Sequence, residues 1–124
     1  MRYHVRAAPQ GASVEHFSDR LATAIRTRRS VVCVGLDPVL ERMPPELVEK
    51  YRPQAAELGD EVAVAACFQE FCSGVIDAVA ETAACVKPQA AFFEQYGAPG
   101  WQALAAVVRC AHEYDLPVIL DVKR

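Results

Sequence analysis

Apolar residues Val14, Phe17, Leu21 and Ile25 recur at three- and four-residue spacing, the pattern of one face of an α-helix. Ser13 stands where an N-cap would, and Arg26, Arg28 and Arg29 gather near the negative end of the helix dipole. The period then changes. Val31-Val32-Cys33-Val34-Gly35-Leu36 is an almost wholly apolar, β-branched run, which predicts a strand buried on both faces of a parallel sheet and stopped by Asp37-Pro38. From Val39 to Asp60, Pro44, Pro45 and Pro53 stand amid mixed charges, so a long connection is expected, with a short helix around Pro45 to Tyr51. Val64, Phe68, Phe71, Cys72, Val75, Ile76 and Val79 then trace one face of a long helix ending near Thr82. Ala83-Ala84-Cys85-Val86 reads as a second strand, halted by Lys87-Pro88. Gly97 to Gly100 reads as a turn, Trp101, Leu104, Val108 and Ala111 line a further helix, and Pro117 to Lys123 forms a third buried strand.

This order alternates helix and strand three times. Parallel neighbours need a crossover of helical size between them, so the order predicts an α/β fold with a parallel sheet, open or closed. No G-x-G-x-x-G or P-loop string follows the first strand, where a dinucleotide- or nucleotide-binding fold would carry it, and that tilts the expectation toward a barrel.

Composition narrows the function classes. Thirteen Lys and Arg against sixteen Asp and Glu give a formal charge of −3, so there is no broad basic field for nucleic acid or an anionic membrane. An anionic ligand must be held locally. The N-terminal stretch from Met1 to Gln10 lacks the apolar core of a signal peptide, and no continuous run of about 18 apolar residues occurs, which gives a cytoplasmic expectation. Cys33, Cys67, Cys72, Cys85 and Cys110 show no C-x-x-C spacing and read as small core residues of a reducing compartment. Cys67 and Cys72 would point about 140° apart on a helix, which argues against a shared metal. His4, His16 and His112 have no ligand spacing and read as surface or boundary residues.

Four charged residues stand out by position. Asp37, Lys87, Asp121 and Lys123 each lie at or just past the C-terminal end of an expected strand. In a (β/α)₈ barrel those ends open on one face, where such enzymes carry their chemistry. Asp121 and Lys123 are two apart and so share a face of their strand. A carboxylate and an ammonium at a buried strand end require pairing, because an isolated ion there costs several kcal/mol. A lysine kept cationic by such a neighbour suits proton donation and carbanion stabilisation better than Schiff-base chemistry.

Val118-Ile119-Leu120-Asp121-Val122-Lys123-Arg124 resembles the start of the D-x-K-x-x-D signature of the orotidine 5'-phosphate decarboxylases. Val34-Gly35-Leu36-Asp37-Pro38 resembles the first-strand motif of the longer-chain bacterial branch of that family. Val86-Lys87-Pro88-Gln89, with Ala91-Phe92-Phe93-Glu94 and Gly97, resembles its second-strand motif. The resemblance implies a partial TIM (β/α)₈ barrel, its first three parallel strands with their helices, residues 1–124 being the N-terminal part of a single domain truncated after the third strand. It implies decarboxylation of orotidine 5'-phosphate to uridine 5'-phosphate in pyrimidine biosynthesis, without metal or organic cofactor, by an enzyme that is a homodimer at full length. In that scheme Lys123 is the general acid that protonates C6 of the pyrimidine, and Asp121 sits beside the departing carboxylate. Lys87 touches the ribose and holds Asp121, and Asp37 hydrogen-bonds ribose hydroxyls.

The sequence stops at Arg124, before the second aspartate of the signature and before any phosphate-binding loop. The 124 residues alone are therefore expected to be inactive and, with open strand edges, poorly soluble. Two other readings compete. One is a magnesium-using sugar-phosphate decarboxylase of the same superfamily, against which the V-K-P-Q string argues. The other is a non-catalytic α/β binding domain, since a fold by itself does not name a reaction.

Overall fold

The computed structural model describes residues 14–123; the possible cap Ser13, His4 and the terminal Arg124 lie outside the described residues. Along the chain run α1 (Phe17–Arg28), β1 (Cys33–Leu36), a 3₁₀ turn (Leu40–Arg42), α2 (Pro45–Leu58), α3 (Asp60–Val79), β2 (Cys85–Pro88), α4 (Ala90–Glu94) and α5 (Gly97–Glu113).

β1 and β2 pair in parallel, with Cys33 opposite Cys85 and Leu36 opposite Pro88. The third expected strand is present only as two isolated parallel bridges, Val86 to Val118 and Gln89 to Asp121. Its backbone bonds explain the interruption. The Val86 N–H donates to Pro117 O (3.1 Å), Ile119 N–H to Val86 O (2.9 Å), Asp121 N–H to Pro88 O (3.0 Å) and Ala90 N–H to Asp121 O (3.0 Å). The missing rung is the one Pro88 would donate to Ile119, and proline has no N–H to give. β2 therefore lies between β1 and the 117–121 segment.

The sequence expectation placed Lys87 and Pro88 after the second strand, whereas both belong to it. β1 was also expected to be buried on both faces, and it is not. Helices cover one face, on which Leu36 and Val86 are buried and Val34 packs against them. Val31, Val32 and Leu120 stay 81%, 54% and 46% exposed. Apolar composition recorded what such a strand could bury; the packing of these residues leaves that potential unused.

The connection after β1 is far more helical than expected. Pro44 and Pro45 open α2, where a missing N–H costs nothing, and the helix runs through Pro53 to Leu58. Tertiary contact overrides that internal proline, because Leu47, Val48 and Tyr51 pack against the core. Glu70 of α3 also accepts hydrogen bonds from Lys50 Nζ (2.6 Å) and Tyr51 Oη (2.5 Å). α3 has the length and composition of a membrane span, yet here Ala63, Val64, Ala65, Cys67, Phe68, Cys72 and Ile76 are buried, and α2 and α5 pack against it. It is the central core helix of this fold.

Gly97 to Gly100, expected to be a turn, forms the first turn of α5. Gly100 is required by close approach, since a Cβ there would lie 1.8 Å from the carbonyl oxygen of Phe93. The contact seats α4 against α5 and aims Phe93 at Phe68, ring centroids 6.1 Å apart and edge to face. At the other end of the sheet, the Arg28 guanidinium donates from Nε to Ala80 O (2.9 Å) and from a terminal nitrogen to Tyr114 O (2.9 Å). It thereby ties α1 to the carbonyl-rich ends of α3 and α5, where a cation is favoured.

Candidate active site

Of the four charged residues singled out in the sequence, the structure brings Lys87 and Asp121 together at the C-terminal end of the sheet, and shows no contact of Asp37 or Lys123 with that pair. Lys87 is the third residue of β2, and Asp121 bridges to Gln89 just beyond that strand's end. Their side chains meet, with Lys87 Nζ donating to Asp121 Oδ2 at 3.3 Å. Both side chains are 36% exposed, so solvent screens the pair and its net contribution to stability is about 1 kcal/mol or less. Its importance lies in orientation. It fixes an ammonium and a carboxylate side by side where neighbouring strand ends converge.

Asp37 follows β1 directly and is exposed. A Cβ on Gly35 would stand 3.3 Å from Asp37 Oδ2, so the glycine leaves room for that carboxylate to fold back over the strand. The Asp37 charge is also felt by Cys72 of α3, whose thiol is pushed up to about 12, first by burial and then by this carboxylate. Lys123 is exposed, two residues beyond Asp121. Two expectations need correction. The spacing argument paired Asp121 with Lys123 along its own segment, whereas its carboxylate meets Lys87 across the sheet, the partner that the family resemblance implied, and the strand end expected to be buried is half open. The common cause is that β2 and the 117–121 segment are adjacent, which brings a residue 34 positions away closer than sequence spacing suggests.

Sequence reasoning quoted Gln89 and Gly35 within its motifs but gave neither a role. Gln89 lies two residues after Lys87, and that period of two was the available signal. For Gly35 the signal was a glycine two residues before a carboxylate. Two cavities among the described residues are lined by other side chains. One, of about 740 Å³, lies between α1 and the C-terminal end of α5, lined by Arg20, Thr27, Arg28, Glu81 and His112 among others. The other, of about 390 Å³, lies between α2 and α3 beneath Tyr96. The charged cluster instead stands on the open sheet face. Of the cysteines, Cys67, Cys72 and Cys85 are buried as expected, but Cys110 is half-buried and Cys33 is exposed. His16 and His112 are exposed.

No protein-family model matches the chain. Curated relatives do. It is 44% identical over 108 residues to the orotidine 5'-phosphate decarboxylase of Rhodopirellula baltica, covering 87% of this chain and 34% of that one. Against the enzyme of the same name from Haloarcula marismortui it is 41% identical over 109 residues, covering 88% of this chain and 34% of that one. The chain is homologous to the orotidine 5'-phosphate decarboxylases. It spans about a third of the length of the orotidine 5'-phosphate decarboxylases it matches. The three-dimensional likeness is to the same family. A crystal structure described as an orotidine 5'-phosphate decarboxylase from Streptomyces avermitilis superposes with a TM-score of 0.66 at 34% identity, covering 95% of this chain and 36% of that one. The α/β fold with parallel strands is thus the fold of a segment of orotidine 5'-phosphate decarboxylase structures.

Proposed function

We propose that residues 14–123 form the first β/α units of a (β/α)₈ barrel, the N-terminal part of a single-domain orotidine 5'-phosphate decarboxylase. The complete enzyme converts orotidine 5'-phosphate to uridine 5'-phosphate in the cytoplasm as a homodimer. The observation that carries this reading is the Lys87–Asp121 pair, set at the C-terminal strand ends in a chain 44% identical to a decarboxylase of that name.

The chemistry explains why such a pair is useful. Loss of carbon dioxide from C6 leaves an electron pair in the plane of the pyrimidine ring, where no π-system delocalises it. Fixed charges must stabilise it, and preorganised electrostatics of this kind are often the largest catalytic contribution. In this reading Lys123 delivers the proton to C6. Asp121 flanks the departing carboxylate, held in place by Lys87, which also reaches the ribose. Asp37 accepts hydrogen bonds from ribose hydroxyls. None of these roles calls on a metal or an organic cofactor.

The test is to express the chain together with whatever coding sequence continues its reading frame, and to follow orotidine 5'-phosphate consumption by its absorbance. Lys123→Ala should abolish turnover with the fold retained, and Asp121→Asn and Lys87→Ala should each lower kcat by at least about a hundredfold, as expected when preorganised charge is removed. Turnover that survives Lys123→Ala at the parental rate would refute the assignment.

A further inference from the structure

Gln89 follows β2 and is still extended (φ −97°, ψ 113°), so the alternation of the strand runs through it. Val86, Pro88 and Ala90 are buried toward the helices, whereas Lys87 and Gln89 are half-buried on the opposite face. Two carboxylates flank Gln89 on that face. Asp121 bridges to Gln89 from the 117–121 segment, and its side chain turns to the Lys87 side, where it accepts from Lys87 Nζ. Asp37 comes directly after the Leu36–Pro88 rung of the β1–β2 ladder, abreast of Gln89, and the Gln89 N–H donates to Leu36 O at 3.3 Å. A Cβ on Gly35, the residue paired with Lys87, would lie 3.3 Å from Asp37 Oδ2, so this carboxylate turns to the same face. Gln89 is thus the middle of a row, Asp37, Gln89, Asp121, on strands about 4.8 Å apart. Among the described residues no hydrogen bond engages its carboxamide, so both of its N–H donors are free to be used.

We propose that Gln89 is a positioning residue for the decarboxylation, its NH2 group donating to Asp37 on one side and to Asp121 on the other and so fixing both carboxylates. The consequence for turnover rests on the decarboxylase reading; the row itself does not. Carboxylates only accept hydrogen bonds, and like charges on adjacent strands repel, so a neutral double donor between them answers both needs. Lys87 already holds Asp121 Oδ2, which leaves Oδ1 for the carboxamide. No reagent has to reach this face. In a closed barrel it turns inward, where lower polarity strengthens every charge interaction.

The protein, expressed with its continuing reading frame, is labelled with nitrogen-15 in its glutamine side chains, and the Gln89 NH2 signals are assigned by their loss in Gln89→Met. At neutral pH Asp37→Asn and Asp121→Asn should each shift those signals, and Asp77→Asn, whose carboxylate instead accepts from Tyr114, should not. Kinetics read the consequence. Gln89→Met should lower kcat about tenfold with KM within about threefold, and Gln89→Glu, which adds a third negative charge to the row, should lower it further. Gln89 signals unmoved by either row substitution would overturn the proposal, as would a Gln89→Met enzyme with kcat kept and only KM raised, since that marks a plain binding contact. An inactive parent would sink the decarboxylase reading instead, and the NH2 shifts then decide the row by themselves.

Discussion

Replacing glycine by alanine at three positions should give three different outcomes. At Gly100 a Cβ would stand 1.8 Å from the Phe93 carbonyl oxygen and 2.8 Å from its carbon. Both are backbone atoms, so α4 and α5 must separate, and Phe93, fully buried against Phe68, must move with them. Overpacking of this kind costs about 3 kcal/mol, the upper end of its usual range. At Gly97, φ is +62° and nothing lies within 4 Å, so only backbone strain of about 1–2 kcal/mol applies. Gly74 lies inside α3 with nothing within 4 Å, and alanine there should stabilise by about 0.5–1 kcal/mol through helix propensity. With a urea m-value of about 1.5 kcal/mol/M, midpoints should shift by about −2 M, −1 M and +0.5 M respectively. Urea titration followed by circular dichroism measures all three. A Gly100→Ala midpoint equal to the parent's would refute the close packing of α4 on α5.

Removing the clamp with Arg28→Met should destabilise by about 1–2 kcal/mol, because the part-buried Ala80 carbonyl loses a charge-assisted donor; the same titration reads it. Tyr51 is raised to about 12, first by burial and then by its hydrogen bond to Glu70. A raised folded-state pKa gives stability that is present below pH 10 and lost as pH climbs through about 12, so across that window Tyr51→Phe should lose less stability than the parent, the remainder coming from Cys72, Cys85 and the other raised tyrosines; equal losses would refute the role of Tyr51. Val31→Lys with Val32→Thr should lessen self-association in sedimentation velocity, since these side chains are 81% and 54% exposed beside a strand edge. An unchanged sedimentation profile would show that this face does not drive association.

Periodicity sufficed for the body of α1, though the helix begins at Phe17 and leaves Val14 outside it and exposed, for the core face of α3 and for the alternation of helix and strand, because these rest on which residues can bury a face and at what spacing. The local signs of strand ends put Lys87 and Asp121 at one end of the sheet, where they meet, since parallel strands in one sheet share a direction. Pairing was beyond local reading. Which lysine Asp121 takes depends on β2 and the 117–121 segment being neighbours, joined by bonds from residues more than thirty positions apart. The second half of α2, beyond the expected Pro45 to Tyr51, escaped notice because Pro53 breaks a propensity pattern, while packing on α3 carries the helix on to Leu58. Exposure of Val31, Val32 and Cys33 was equally hidden, for an apolar strand looks the same in sequence whether one face or two are covered. Sequence fixes what each segment can do alone; only the assembled sheet and helices decide which side chains meet, because contact is set by neighbours the chain supplies from far away.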